Sequence, residues 1–249
     1  MKYLAVVSYL GNDFYGFQKN PGKRTVQAEL ERAITYLRGE NTEIKSSGRT
    51  DKGVHAHGQA ITFKIERKIE DLQRFLDSFN RLLPHDIAVR SLKEVPSSFH
   101  PRFACKQKTY IYKISLSLRD PLKFDTYFLQ DKNFDLSLFK ECLKLFIGKH
   151  NFHAFTTKEK DEEGYIRTID DIEVKENKGT LKIIFKGKSF MRYQIRFMVG
   201  ASLKVAKGKL SLDNIERALS TGEALMNLNK APAYGLTLWK VSYGKHYDV

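Results

Sequence analysis

The chain has 249 residues, with 43 lysines and arginines against 29 aspartates and glutamates, so its formal charge at pH 7 is +14. A positive excess of this size favours a polyanionic partner. The composition is 41% hydrophobic and 29% charged, with 16 glycines and 6 prolines, which is typical of a globular protein and excludes a disordered tail or a low-complexity repeat. The length suits one large domain or two of modest size.

The N-terminal sequence MKYLAVVSYLGNDF holds only a short apolar run, which Ser8 and Asn12 interrupt, and no small-residue cleavage site follows it. No other stretch approaches the roughly 18 apolar residues that a bilayer span requires. Cys105 and Cys142 lie in different segments without a CxxC pair, so we expect buried reduced thiols and neither a disulfide framework nor a thiolate zinc site. These observations predict a cytoplasmic protein with no membrane segment.

The first hundred residues predict the order strand, helix, strand, strand, helix, strand, which is the ferredoxin-like plan. Thr25 stands where a helix N-cap is expected, and Gly39 follows the last apolar residue at helical spacing. The predicted elements are a strand at Lys2–Tyr9, a helix after Thr25, a strand at Glu43–Ser46, a strand at His57–Ile65, a helix carrying Ile69, Leu72, Leu76 and Phe79, and a strand at Ile87–Val95.

The pattern restarts after Arg102 and repeats the theme. The predicted elements are a long strand in KQKTYIYKISLSL, a helix at Asp135–Phe146, a hairpin of Tyr165–Val174 with Thr180–Phe185, the longest helix at Phe190–Ala206 and a last strand at Leu236–Tyr243, with KEKDEEG (158–164) as a surface loop. We therefore predict an α+β protein of two ferredoxin-like halves, residues 1–103 and 104–249, with mainly antiparallel sheets and a cleft between the halves.

The densest chemical signal is SGRTDKGVHAHG at residues 47–58. Its glycines permit tight turns and the close approach of a ligand. If Asp51 faces a cleft, Arg49 and Lys52 favour its ionised form, and a carboxylate held in this way can act as a nucleophile. The alternative interpretation is a hairpin turn whose aspartate hydrogen-bonds its own backbone.

His55 and His57 have the HxH spacing that a metal site can use. No third histidine, cysteine or acid lies nearby in a ligand pattern, so we expect satisfied or stacking histidines and no metal.

Basic residues cluster at 19–24, 102–113, 186–196 and 204–209, and aromatic residues are interleaved with them. Phosphates supply affinity for such cations and rings receive unstacked bases, so this pattern favours RNA or DNA over a merely solvated lysine-rich surface. Arg196 stands among apolar neighbours and needs a carboxylate or phosphate partner, and Arg192, one turn earlier, is placed to meet backbone phosphate. A snorkelling arginine is the alternative for Arg196.

The segment SGRTDKGVHA resembles the signature loop of the tRNA pseudouridine synthase A family, known as TruA. Four further blocks resemble family segments in the same order: YLGNDFYGFQ with TVQ, SFHPRFACKQKTYIYKI, FIGKHNFHAF and APAYGLTLWKVSY. The resemblance spans nearly the whole chain.

The resemblance implies that Asp51 is the catalytic aspartate, that Tyr110 stacks against the target base and that Arg196 pairs with the aspartate. It also implies a cofactor-free homodimer that isomerises uridine to pseudouridine in tRNA, with the anticodon stem-loop as the favoured target. No P-loop, GxGxxG or HExxH motif is present, as suits an isomerisation that keeps every atom of the base. We expect further substrate contacts at Arg49, Lys52, His55, Arg102, Arg192 and Leu236.

The chain departs from the family pattern at several positions. Phe17 replaces the usual Trp, Asn151 replaces the usual Asp, and FMRYQIRFMVG replaces FLYHMVRNIVG. These departures leave open a pseudouridine synthase paralogue acting on another RNA. Two further alternatives are a non-catalytic RNA-binding module, which the charge and the aromatic residues favour, and a zinc hydrolase using His55 and His57.

Overall fold

The computed structural model describes residues 1–117, 119–129, 133–157, 164–244 and 247. The chain forms two compact units: unit 1 is Met1–Lys106 together with the chain from Thr237 onward, and unit 2 is Gln107–Leu236. The division predicted from the sequence placed the last strand in the second half, whereas it groups with unit 1. Of the predicted KEKDEEG loop, residues 158–163 lie outside the described part of the chain.

Both units contain strands and helices. The strands are β1 (Lys2–Tyr9), β2 (Ile44–Ser46), β3 (His55–Lys64), β4 (Ile87–Glu94), β5 (Gln107–Ser115), β6 (Tyr127–Phe128), β7 (Gly148–Asn151), β8 (Ile166–Ile169), β9 (Asp171–Asn177), β10 (Thr180–Gly187) and β11 (Leu236–Ser242). The helices are α1 (Val26–Arg38), α2 (Leu72–Leu82), α3 (Leu136–Leu145), α4 (Gln194–Val205) and α5 (Leu212–Thr221).

The sheet of unit 1 has β1 at its centre, paired antiparallel with β4 on one side and β3 on the other. The outer edge of β3 is shared, because β2 pairs antiparallel with its C-terminal part, with Ile44 opposite Phe63, and β11 pairs parallel with its start, with Thr237 opposite His55. The order β4-β1-β3-β2 is the ferredoxin-like arrangement that the sequence predicted, and the mainly antiparallel α+β architecture is confirmed.

Helix α1 both fills the core of unit 1 and fixes the start of β2. Its buried face includes Val26 and Leu30, and the helix ends at Gly39, whose φ of 70° is the left-handed conformation that glycine adopts readily. Glu31, only 7% exposed, accepts a hydrogen bond from the backbone N–H of Ile44 at 3.0 Å. The start of β2 is therefore set by a buried carboxylate.

In unit 2, β10 lies between β5 and β9 and pairs antiparallel with both. Apart from the short strands β6, β7 and β8, the order β5, α3, β9, β10, α4 along the chain repeats the strand–helix–strand–strand–helix order of unit 1. Asp135 caps α3, since its side chain accepts hydrogen bonds from the N–H groups of Ser137 and Leu138. Helix α4 is buried over most of its surface, so it forms the centre of this unit.

Two predictions for the C-terminal region were wrong. Helix α4 begins at Gln194 and not at Phe190, because Tyr193 adopts a left-handed conformation with φ 62°; its 12 residues also make it shorter than α1, with 13. The strand predicted at Tyr165–Val174 is two strands, β8 and β9, separated at Asp170.

Helix α5 was not predicted, although the sequence carries its boundary signals. Ser211 and Asn214 form a capping box at its start, and Gly222 ends it with φ 76°. Among the described residues, no helix is long and apolar enough to cross a membrane.

A bidentate ion pair ties the loop before α1 to the start of β4: Nη1 and Nη2 of Arg24 lie 2.7 and 2.8 Å from the carboxylate oxygens of Asp86. The Asp86 side chain is only 6% exposed. We expect Asp86→Asn to lower the free energy of unfolding by about 1–3 kcal/mol, because it removes one half of a charge-assisted pair and leaves Arg24 poorly matched.

Urea denaturation measures this loss, and Glu173→Gln is the matched control. That change breaks the exposed pair of Lys175 and Glu173, whose atoms lie 3.1 Å apart, and we expect about 0.5 kcal/mol or less. Equal losses of unfolding free energy in the two variants would contradict a stabilising role for the pair of Arg24 and Asp86.

Candidate active site

The segment carrying Asp51 links β2 to β3, and hydrogen bonds fix its backbone next to the aspartate. The hydroxyls of Thr50 and Tyr9 are 2.7 Å apart, and the carbonyl of Thr50 accepts a hydrogen bond from the N–H of Phe17 at 3.1 Å. Burial raises the pKa of Tyr9, so its phenol stays neutral. Asp51 itself is half-buried and follows directly after this anchored residue.

The segment is held equally firmly at its start. The hydroxyl of Ser47 donates to the side-chain oxygen of Gln59 at 2.7 Å, and the amide nitrogen of Gln59 donates to the carbonyl of Gly48 at 2.8 Å. Ser47 and Gln59 are fully buried. A turn follows, in which the N–H of Val54 donates to the carbonyl of Asp51 at 3.1 Å. The carboxylate therefore projects from a backbone that is anchored on both sides.

A second loop, residues 10–17, packs against this segment backbone to backbone. A Cβ on Gly11 would lie 2.2 Å from the carbonyl oxygen of Val54, and one on Gly16 would lie 2.9 Å from that of Thr50. Gly16 also has φ +92°, which side chains rarely adopt. The glycines of YLGNDFYGFQ therefore allow the backbones of the two loops to pack closely against each other.

The charged residues predicted beside Asp51 are exposed. Arg49 and Lys52 face outward, and the ammonium of Lys52 lies 4.9 Å from the centroid of the Tyr15 ring. Arg102 is also exposed, next to Phe103, which is 76% exposed. Cations beside exposed rings are the groups with which proteins bind single-stranded nucleic acid.

The two histidines have different surroundings. His55 is 3% exposed, and its Nδ1 accepts a hydrogen bond from the N–H of Gly11 at 2.9 Å, so it connects the two loops. The ring of His57 stacks on Trp239, with centroids 4.1 Å apart, and its Nε2 lies 2.6 Å from Nη1 of Arg90. Burial, followed by the charge of Arg90, lowers the pKa of His57.

These contacts engage ring nitrogens that a metal would need. Within the part of the chain that the structure describes, no three histidine, cysteine or acidic side chains are grouped so as to hold a metal ion. The zinc-hydrolase alternative gains no support.

Unit 2 carries the predicted aromatic residue. Tyr110 lies on β5, is 8% exposed and contacts Phe190 edge to face, with ring centroids 5.2 Å apart. Two residues along and therefore on the same face, Tyr112 is fully buried, and its hydroxyl donates to the carbonyl of Pro232 at 2.8 Å. Burial raises the pKa of Tyr112, and the nearby charge of Arg196 opposes this rise.

Arg196 lies in the first turn of α4 and is oriented by Ala231 in two ways. Its Nε donates to the carbonyl of Ala231 at 2.8 Å, and its own carbonyl accepts from the N–H of Ala231 at 2.9 Å. One turn further along the helix, a Cβ on Gly200 would lie 2.0 Å from the carbonyl oxygen of Asn229. The segment preceding β11 can therefore rest directly on α4 and hold the guanidinium.

Of the remaining predicted substrate contacts, Arg192 is exposed just before α4, and Leu236 is 5% exposed at the start of β11. The sequence pointed to Tyr110 and Arg196 but assigned no role to Tyr112 or Ala231. Ala231 forms two hydrogen bonds with Arg196, and Tyr112 donates one to the carbonyl of the next residue, Pro232. Both residues do lie in segments that resemble the family, Tyr112 in TYIYK and Ala231 in APAYG, but neither segment indicates these hydrogen bonds by itself.

Comparison with known proteins identifies the class. A family model described as tRNA pseudouridine synthase matches residues 5–104 and 142–244, and these ranges include Asp51 and Arg196. The chain belongs to this family, whose members are isomerases.

Curated relatives agree over almost the full length. A tRNA pseudouridine synthase A of Listeria monocytogenes serotype 4a (strain HCC23) is 37% identical over 97% of this chain and 99% of its own length. The enzyme of the same name from Geobacillus sp. (strain WCH70) is 36% identical over 95% and 96%, and that of Anoxybacillus flavithermus (strain DSM 21510 / WK1) is 35% identical over 95% and 96%. This chain is therefore similar to tRNA pseudouridine synthase A enzymes over almost its whole length.

We expect Gly11→Ala to lower the rate of pseudouridine formation by about tenfold or more, because its Cβ would displace the carbonyl of Val54 and with it the turn that carries Asp51. Single-turnover kinetics at saturating tRNA measures the effect. Gly39→Ala is the control: it strains a helix end with φ +70° but meets no atom within 4 Å. The control should lose stability and keep its rate; a comparable loss of rate in both would contradict the role of Gly11.

Proposed function

We propose that this protein converts uridine to pseudouridine in the anticodon stem-loop of tRNA, with Asp51, Tyr110 and Arg196 as its catalytic residues. The observation that carries the proposal is the anchored turn around Asp51 in a chain of this family. The anchoring bonds at Thr50 and Gly48 hold the carboxylate in place before substrate binds, as an enzyme of fixed geometry requires.

The proposed reaction is an isomerisation of one nucleotide. The bond between N1 of uracil and C1′ of ribose breaks, the base rotates, C5 bonds to C1′, and the proton on C5 is released while N1 gains one. Asp51 acts by attack at C1′, by attack on the uracil ring, or by abstraction of a ribose proton. These three routes share the need for an ionised carboxylate.

Arg196 is the proposed counter-ion of Asp51. A guanidinium keeps a nearby carboxylate ionised and presents a planar pair of donors to it. The hydrogen bond from Nε to Ala231 supports this role, because it fixes the plane of the guanidinium before any partner arrives. An orientation set in advance reduces the reorganisation that the reaction must supply.

Tyr110 is the proposed stacking surface for the extruded uracil. Stacking of a base on an aromatic ring contributes about 1–3 kcal/mol, and extrusion costs a few kcal/mol, so phosphate contacts must supply the remainder. The edge-to-face contact with Phe190 fixes the plane of the ring. Near the end of the reaction, the phenol of Tyr110 also assists removal of the C5 proton.

The exposed cations Arg49, Lys52, Arg102 and Arg192 are the proposed contacts to the RNA backbone. Their exposure and the formal charge of +14 support this assignment, since phosphate contacts dominate affinity for nucleic acid. His55 and Leu236 are buried, so their proposed contribution to substrate binding is to support the segments that contact it.

We also propose a homodimer in the cytoplasm, as the family resemblance implies. Cys105 and Cys142 are buried thiols, which suits a reducing compartment. Light scattering of the purified chain tests the dimer: a mass of one chain at micromolar concentration would exclude it.

The main rival is a non-catalytic RNA-binding module with the same basic surface. It gives no reason for anchoring a carboxylate among cations, where it repels phosphate. The two functions are distinguished with tRNA labelled with tritium at uridine C5, because the isomerase releases tritium to water and a binding module does not. A paralogue specific for another RNA would release tritium only from that RNA.

We expect Asp51→Asn to lower tritium release by more than about 1,000-fold while leaving the Kd for tRNA within a few-fold. The change keeps the shape of the side chain and removes its charge. Asp77→Asn, on the exposed face of α2, removes the same charge and should keep full activity. Substantial turnover by Asp51→Asn would refute the assignment of this carboxylate.

We expect Arg196→Lys to lose about 100-fold in rate, nearly as much as Arg196→Gln, because one ammonium cannot reproduce both the Nε bond to Ala231 and a planar contact with a carboxylate. The single-turnover rate at saturating tRNA is the measurement. A lysine variant with a near-normal rate would show that charge alone suffices and would exclude an oriented ion pair.

A further inference from the structure

The ring of Tyr193 in unit 2 has three cations around it. The ammonium of Lys230 lies 4.0 Å from the ring centroid, the guanidinium carbon of Arg192 lies 4.8 Å from it and that of Arg196 lies 5.4 Å from it. The hydroxyl of Tyr193 also accepts a hydrogen bond from Nη2 of Arg192 at 3.0 Å. We call Arg192, Tyr193, Arg196 and Lys230 the Tyr193 cluster.

The backbone is strained where it places this ring. Tyr193 has φ 62° and ψ 1°, a left-handed conformation that is uncommon for a residue other than glycine, and its side chain makes no capping bond to α4. A strained residue persists where the surrounding structure enforces it, and such residues concentrate at binding and catalytic sites. The conformation sets Tyr193 directly before the helix that carries Arg196.

Lys230 reaches the ring through a contact between segments distant in sequence. Its neighbour Asn229 rests on Gly200 of α4, and its other neighbour, Ala231, forms the two hydrogen bonds to Arg196. The backbone on both sides of Lys230 is therefore fixed against α4. The lysine is held over the ring by the packing of its own segment.

Two of the three cations of the cluster, Arg192 and Lys230, concentrate positive charge beside the ring without a matching acid among the described residues. The charged groups cannot lie farther apart than about 10 Å, roughly the distance over which 0.1 M salt screens charges. Among the residues that the structure describes, neither Arg192 nor Lys230 has an acidic partner. The face of an aromatic ring attracts cations but does not neutralise them, so Arg192 and Lys230 favour an added anion.

We propose that Arg192 and Lys230, held on the ring of Tyr193, bind a backbone phosphate of the RNA substrate immediately beside Arg196. The inference rests on the proposed function, since it takes RNA as the anion. A phosphodiester has two charged oxygens to share between a guanidinium and an ammonium. Binding there places the RNA backbone at a fixed position next to the proposed counter-ion of Asp51.

The test measures the Kd for a tRNA transcript at several KCl concentrations. Loss of one phosphate contact reduces the slope of log Kd against log salt by about 0.7–0.9. We expect this reduction for Lys230→Gln, together with a Kd raised about five- to tenfold at 0.1 M salt, and we expect Lys230→Arg to restore the slope. Lys144→Gln, an exposed lysine of α3 outside the cluster, removes the same charge and should leave the slope unchanged.

The ring is tested separately. We expect Tyr193→Leu to raise the Kd about threefold and Tyr193→Phe to stay closer to wild type, because phenylalanine keeps the face that places the cations and loses only the hydroxyl bond to Arg192. Both variants retain a β-carbon and so carry similar backbone strain.

An unchanged slope in Lys230→Gln, or an equal change in Lys144→Gln, would overturn the phosphate site. So would a loss confined to the rate at saturating tRNA, which would make Lys230 a positioning residue for Arg196. The binding experiment needs no turnover. A wild-type protein that releases no tritium, with the slope reduced in Lys230→Gln, would therefore refute the proposed isomerase and leave the phosphate site standing.

Discussion

The anchoring of the backbone on both sides of Asp51 is the constraint on which the proposed chemistry depends. A carboxylate in a glycine-rich segment would otherwise sample many positions, since glycine restricts the chain least. The buried pair of Tyr9 with Thr50 and the part-buried bond from Gln59 to Gly48 remove that freedom before Asp51, and the turn bond from the N–H of Val54 to the carbonyl of Asp51 removes it after. Because the partners lie on β1 and β3, the geometry of the site derives from the sheet of unit 1.

Arg196 is fixed by a comparable device in unit 2. Helix α4 supplies the backbone, and the segment around Ala231 supplies the orientation, through bonds between residues 35 positions apart. The close approach at Gly200 makes those bonds possible, since any larger residue would hold the segment away from the helix. Each unit thus presents one charged group of the proposed site on a support of its own, and neither support depends on a loop alone.

The sequence predicted local elements well where one periodicity ran to a clear stop. Helix α1 follows from its apolar spacing and Gly39, and β1 from its alternation. The prediction was wrong at the start of α4, because no residue in FMRYQ indicates that Tyr193 adopts a left-handed conformation. Tertiary packing imposes that conformation. The prediction also missed α5, although the capping box at Ser211 and the glycine at Gly222 mark the two ends of this helix.

The amino-acid sequence by itself determined the family and the types of reactive side chain, because SGRTDKGVHA and the other motifs are contiguous and keep their order along the chain. Only the tertiary structure decided that Gly11 fits beneath Val54, that Ala231 orients Arg196 and that Lys230 lies over Tyr193. The physical reason is the same in each case. These contacts join residues far apart in the chain, and such contacts leave no periodic pattern in a single sequence.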